Sequence, residues 1–269
     1  EHSRIHTFYV GLGMFRTSWF QSLESDVLVM TMPDFGTYHI KRSKHPVHYI
    51  YLHHSMVSSH MAYRLDAFDN FDSILCVGPH HREETRATEK QYDLRTKTLI
   101  DAGYCVVDSI LASDTLLSVS QPQAGEQGKR VLIAPSWGEN ALIETRGGEL
   151  VEVLLEAGHQ VTVRPHYMTI QNHPGLLREL GKRFGAHSKF LLDTDLQSQG
   201  TVHSSDIMIS DWSGVALEYA FGCEKPVIFV DVPKKKNNPE AERIPEIPVE
   251  VSIRQRVGRV VSPDRLPEI

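Results

Sequence analysis

The chain has 269 residues, of which 41% are hydrophobic and 23% charged, and a formal net charge of -6. That composition excludes disorder and a general polyanion binder, so nucleic acid is not an expected partner, although a local basic pocket could still hold a small phosphorylated ligand. The length exceeds what one core needs and falls short of three, so two domains are expected, at 1–120 and 121–269.

Cys76, Cys105 and Cys223 are far apart, lie in or beside apolar runs and fit no zinc spacing, which suits a reducing cytoplasm. No run reaches the roughly 18 apolar residues of a membrane span, and no charged-then-apolar leader opens the chain. A soluble or peripherally attached protein is expected. The residues after Glu1 already read as the inside of a domain, which predicts an upstream segment.

In chain order, "DVLVMT" at 26, "VHYIYLHH" at 47 and "DSILCVG" at 72 read as strands. A long polar helix is predicted from about His81 to Ala102, stopped by Gly103, and "SVSQPQAGEQGKR" from Ser118 reads as the domain linker. Beyond it strands and helices alternate: "RVLIAPS" at 130, a helix through "GGELVEVLLEAG", "QVTVRP" at 160, a helix through "PGLLRELGKRFG", "KFLLDTD" at 189, "DIMIS", a short helix "VALEYAFG" and "PVIFVDV". This is parallel α/β patterning, whose ligands lie beyond the carboxyl ends of the strands.

Three strand ends carry chemistry. Between "DIMIS" and "VALEYAFG" lie Asp211, Trp212, Ser213 and Gly214. The helix begins at Ser213 or Gly214, its first amides lack intrahelical partners, Ser213 is expected to cap them, and Gly214 admits a ligand close to the backbone. The turn is therefore a candidate phosphate site, against the plain alternative of a capped βα turn. Glu218, one turn in, could accept from a sugar diol or simply be solvated. After "VTV" come Arg164, Pro165 and His166: a planar fork for phosphate oxygens, a fixed backbone and a ring able to protonate a leaving oxygen. A surface strand terminus is the bland reading. After "YIYL", alternation puts His53 and His54 on opposite faces. His54, followed by the small Ser55, is the candidate general base, whereas His53 and His60 are expected to pack in a half-buried segment. No strong metal-ligand pattern is present, so no metal is expected. "KKKNNP" at 234–239 is a solvated loop or an anion screen. P-loop, GxGxxG and GxSxG motifs are absent.

"HHS" at 53–55, "FDSILCVGPHHREE" at 71–84, "VLIAPSW" at 131–137, "VRPHY" at 163–167 and "SDIMISDWSGVALEYAFGCEKPVIFVDVP" at 205–233 resemble, in order, the CDP-glycerol glycerophosphotransferases, the teichoic-acid primases and polymerases of bacteria. The resemblance implies an α/β glycosyltransferase-B-like fold, two Rossmann-like domains with parallel sheets facing a cleft, and no cofactor beyond a CDP-activated donor. It implies transfer of an alditol phosphate, such as glycerol phosphate, to a hydroxyl of a glycan or lipid-linked acceptor, with release of CMP, in the cytoplasm or at the inner face of the membrane. The family's catalytic histidine carries over to His54, with Ser55 where glycine is usual. Its Arg-Pro-His-Pro motif carries over to Arg164, Pro165 and His166, with Tyr167 last, and its Asp-Tyr-Ser-Ser turn to Asp211, Trp212, Ser213 and Gly214.

The mechanism expected from both readings seats the donor diphosphate on the Ser213 and Gly214 amides. Arg164 and His166 neutralise its charge, and His54 deprotonates the acceptor hydroxyl. Ser55 and Glu218 are further substrate contacts. Two alternatives stay open: a UDP-sugar-dependent glycosyltransferase or epimerase of the same fold, and a non-catalytic module of a larger polymer-assembly protein.

Overall fold

The computed structural model describes residues 4–11, 13–36, 40–117, 128–196, 198–234 and 236–269. The chain divides into two compact units. The first comprises Glu1–His54, Ser58–Gly103 and Lys236–Glu246; the second comprises Ser55–Val57, Tyr104–Lys235 and Ile247–Ile269.

The first unit is built on four parallel strands, β1 (Val27–Met30), β2 (His48–Leu52), β3 (Ser73–Cys76) and β4 (Thr98–Asp101), in the order β1-β2-β3-β4. Its core is aromatic: Phe35, Tyr49, Tyr51 and Phe71 are fully buried, and the Phe35 and Tyr49 rings stack at 4.3 Å. The long helix expected to reach Ala102 is two elements. The helix Pro79–Gln91 ends at Tyr92, Asp93 turns the chain with φ of 50°, and the Thr98–Ile100 run pairs with β3. Tertiary pairing of a β-branched run thus overrides the polar helical pattern, and Gly103, at φ of 71°, follows a strand rather than a helix.

The second unit has a six-stranded parallel sheet: β5 (Arg130–Ile133), β6 (Gln160–Val163), β7 (Phe190–Leu192), β8 (Ile207–Ser210), β9 (Val227–Val230) and β10 (Gly258–Val261). Their order is β10-β9-β8-β5-β6-β7. Alternation along β5 sets the two faces. Val131 and Ile133 pack with Leu150, Val151 and Leu154 on one side, while Leu132 packs with Met208, Tyr219 and Phe229 on the other.

The chain runs outward from β5 through β6 to β7, then returns to β8 on the other side of β5 and continues to β10. The β5/β8 boundary is therefore a topological switch point, where connections leave in opposite directions and open a crevice at the carboxyl ends of the strands.

The linker expected from Ser118 lies mostly outside the described residues. The helix Cys105–Leu117, on the N-terminal side of the expected boundary at 120, belongs to the second unit, because Ile110 is buried with Leu132, Val202 and Met208. Among the described residues no helix is long and apolar enough to cross a membrane.

Candidate functional site

The turns after β5 and β8 meet at the switch point and are joined by Asp211, whose side chain is 1% exposed. Its Oδ1 accepts from the Ser136 and Trp212 amides, both at 2.6 Å, and its Oδ2 from the Leu142 amide at 2.9 Å. Leu142 opens the helix Leu142–Glu156, which has no cap from its own N-cap side chain, so Asp211 satisfies that helix end from across the sheet. Asp211, expected as a substrate contact, is buried and engaged with three backbone amides, which hold the turns together.

Arg164 is likewise engaged within the protein. It is 9% exposed, and its guanidinium donates to the carbonyls of Ser198 (2.6 Å) and Leu196 (2.9 Å), to Thr201 Oγ1 (3.2 Å) and to Asp193 (3.2 Å). The planar fork is matched to protein carbonyls, a hydroxyl and a carboxylate. Arg164 thereby fixes the segment after β7 that forms one wall of the site.

His166 caps the helix Tyr167–Asn172, its Nδ1 accepting from the Met168 amide at 3.0 Å. That bond places the proton of the neutral ring on Nε2, making this nitrogen a donor. The ring stacks on Trp137 at 6.1 Å between centroids.

The helix Val215–Gly222 starts one or two residues later than expected, with Gly214 as N-cap and no side-chain cap, so the capping role given to Ser213 is corrected. The Ser213 carbonyl instead accepts from the Ala216 amide at 3.2 Å. Gly214 has φ of -62°, which any residue can adopt. Its lack of a side chain answers a neighbour: a Cβ there would lie 2.3 Å from Ser55 Oγ and 3.4 Å from Val57 Cγ1. Ser55 and Gly214, two of the departures from the family pattern, are in direct contact. A hydroxyl at 55 and a side chain at 214 compete for one volume. Gly214→Ser alone is expected to rotate the Ser55 hydroxyl away and to lower stability by about 1 kcal/mol, whereas Ser55→Gly with Gly214→Ser returns to within about 0.5 kcal/mol of the parent. Urea melts of the four proteins check this, and additive effects would refute the exchange.

These turns enclose a pocket of about 270 Å³ lined by Arg164, His166, Leu196, Ser213, Glu218 and Tyr219. Burial raises the pKa of Glu218 above the usual carboxylate range, an effect opposed by the Tyr104 hydroxyl, which donates to Oε1 at 3.0 Å. The pocket thus combines apolar walls, a donor ring nitrogen, a helix start and one carboxylate, the mixture that orients a small polar ligand. Of the residues expected in the site, Arg164, His166, Ser213 and Glu218 line this pocket, Gly214 and Ser55 touch each other, and Asp211 is buried outside its lining. Tyr104 was not anticipated.

In the first unit, His54 is exposed, and its Nδ1 lies 2.7 Å from the Thr31 carbonyl and 3.2 Å from the Tyr51 hydroxyl. A carbonyl only accepts, so Nδ1 carries the proton and Nε2 of the neutral ring is the basic nitrogen, 3.4 Å from the Tyr63 hydroxyl. This is the tautomer a general base requires. His53 is buried and stacks on His81 at 3.6 Å, its pKa lowered to about 2 by burial and by the neighbouring histidines. His60 is buried, with Nδ1 3.5 Å from Glu84.

The family model described as CDP-Glycerol:Poly(glycerophosphate) glycerophosphotransferase matches residues 7–236. The chain belongs to this family. No curated protein sequence matches it. Similar solved structures include a variant of the wall teichoic acid polymerase TagF soaked with CDPG, at 13% identity and TM-score 0.48, with 91% of this chain and 67% of that one covered. The S. aureus MnaA-UDP co-structure is similar at 13% identity and TM-score 0.49, covering 84% and 61%. The Methanocaldococcus jannaschii UDP-GlcNAc 2-epimerase, in complex with UDP-GlcNAc and UDP, is similar at 13% identity and TM-score 0.46, covering 80% and 58%. The chain spans 54% of the length of two further TagF variant structures. The α/β assignment rests on the two parallel sheets and their strand order.

Proposed function

We propose that this glycerophosphotransferase-family chain transfers an alditol phosphate from a CDP-activated donor to an acceptor hydroxyl on a glycan or lipid-linked molecule, releasing CMP. The observation that carries the proposal is the convergence of His166, Ser213 and Glu218 on one pocket at the switch point of the second unit.

In this reading the nucleotide occupies that pocket, with its ribose diol on Glu218 and its phosphates at the start of the helix Val215–Gly222. His166, through Nε2–H, donates to a phosphate oxygen and stabilises the departing CMP. Arg164 and Asp211 hold the walls in place. His54, on the first unit, removes the proton from the acceptor hydroxyl through Nε2, so the oxygen attacks phosphorus as the bond to the CMP oxygen breaks. The donor is a substrate, and no step calls for a resident cofactor. Residence at the inner face of the membrane belongs to this proposal.

Calorimetry with CMP, CDP, CDP-glycerol, CDP-ribitol, UDP and UDP-N-acetylglucosamine tests it. Cytidine nucleotides are expected to bind in preference to uridine nucleotides, and CMP to appear when CDP-glycerol and an acceptor are both present. Preference for uridine would move the chain to sugar transfer or epimerisation. Absence of all nucleotide binding would leave a non-catalytic module.

A further inference from the structure

The long segment of the second unit, Tyr104–Lys235, begins directly after Gly103. The helix that follows, Cys105–Leu117, packs so closely on Val215–Gly222 that a Cβ at Gly222 would lie 2.7 Å from Ile110 Cγ2. Glu218 and Gly222 are four residues apart and share a helix face. The contact that excludes a side chain at 222 therefore carries the Tyr104 ring alongside Glu218. Its hydroxyl donates to Glu218 Oε1 at 3.0 Å and is the group that hydrogen-bonds this carboxylate among the described residues.

We propose that Tyr104 is a positioning residue for the nucleotide pocket, holding the Glu218 carboxylate ionised and aimed at the ligand's ribose diol. The inference rests on the nucleotide reading of the pocket. A buried carboxylate without a donor tends to take up a proton, and a protonated Glu218 would present a diol with one acceptor oxygen fewer and no charge. A phenol that donates to the carboxylate favours its charged form. The bond also pins the side chain in one rotamer before ligand arrives, which reduces the ordering cost of binding. The other titratable or charged groups around the pocket are Arg164, already engaged by Asp193, His166, Tyr167 and Tyr219, and the tyrosines stay neutral between pH 5 and 8. Acid can change the charge of His166 as well, so the test separates the two.

The experiment measures CMP affinity from pH 5 to 8 for the parent, Tyr104→Phe, Glu218→Gln and the double variant. Folding is checked by thermal melts, and Glu218 is followed by carboxyl carbon NMR in the ligand-free protein. In Tyr104→Phe, affinity near neutral pH is expected to fall about 5- to 10-fold, the size of one typical hydrogen bond. The acid limb of the affinity profile should move to higher pH, with the Glu218 resonance moving in step. Glu218→Gln should abolish that limb and leave only the part due to His166, and adding Tyr104→Phe should then change little. Equal weakening at every pH with the limb unmoved, or additive effects of the two substitutions, would overturn the inference. Should no nucleotide bind the parent, the reading of the pocket fails. The NMR titration then decides the Tyr104–Glu218 linkage by itself, because an unmoved Glu218 resonance in Tyr104→Phe refutes it.

Discussion

His54→Ala is expected to lower turnover of CDP-glycerol by about 10²- to 10⁴-fold, the range for losing a general base, while leaving CMP affinity unchanged. The two readouts separate because the residues lining the pocket proposed for the nucleotide belong to the second unit and His54 to the first. The direction of the proton transfer comes from hydrogen bonding. The Thr31 carbonyl at 2.7 Å holds the proton on Nδ1, so the lone pair on Nε2 is the one that can receive another. His54→Gln, near in size but with no basic nitrogen, should behave as the alanine variant does. Single-turnover CMP release together with calorimetry checks this. Parent-like turnover in either variant would remove His54 from the mechanism, and loss of nucleotide binding would assign it a structural role.

The parallel α/β plan is legible in the sequence because each strand of the second unit is a short β-branched run bounded by turn residues, and runs of that type need helical crossovers. The turn from Asp211 to Gly214 stands out for the same reason, lying between an apolar run and a helical one. The partners of its side chains are not legible. Asp211 bonds amides 69 to 75 positions away in the chain, and Arg164 bonds groups 29 to 37 positions away. Charged residues at strand ends read as ligand contacts, and no local pattern announces the internal bonds they also make. The overrun of the predicted helix into β4 has a similar origin, since pairing with β3 decides the state of Thr98–Asp101 and no local pattern announces it. The role of Tyr104 is not legible locally because Glu218, its partner, is 114 positions away. An aromatic hydroxyl directly after the turn glycine Gly103 is the one local sign it leaves. The exchange between Ser55 and Gly214 was visible as two separate departures from the family pattern, and only the contact between them makes them one change.

Asp211→Ala is expected to destabilise the second unit by about 3 kcal/mol, because it removes the acceptor of three amide donors, two of them in buried bonds. For a unit of this size that corresponds to a fall in melting temperature of about 10 °C. Asp211→Asn gives the sharper test. Its amide nitrogen is a donor, so one of the two oxygens now facing backbone N–H groups becomes a group that repels them. If the bonds to the Ser136, Leu142 and Trp212 amides set the stability, Asn should lose most of what Ala loses, although it fills the same space. If packing alone mattered, Asn would be nearly silent. Function should follow the same order, since the Ser136 and Leu142 bonds hold the turn after β5 against the turn after β8. Loosening that joint should weaken CMP binding even at temperatures where both variants remain folded. A parent-like melting temperature and CMP affinity in Asp211→Asn would mean that Asp211 is not what holds the two turns at the switch point together.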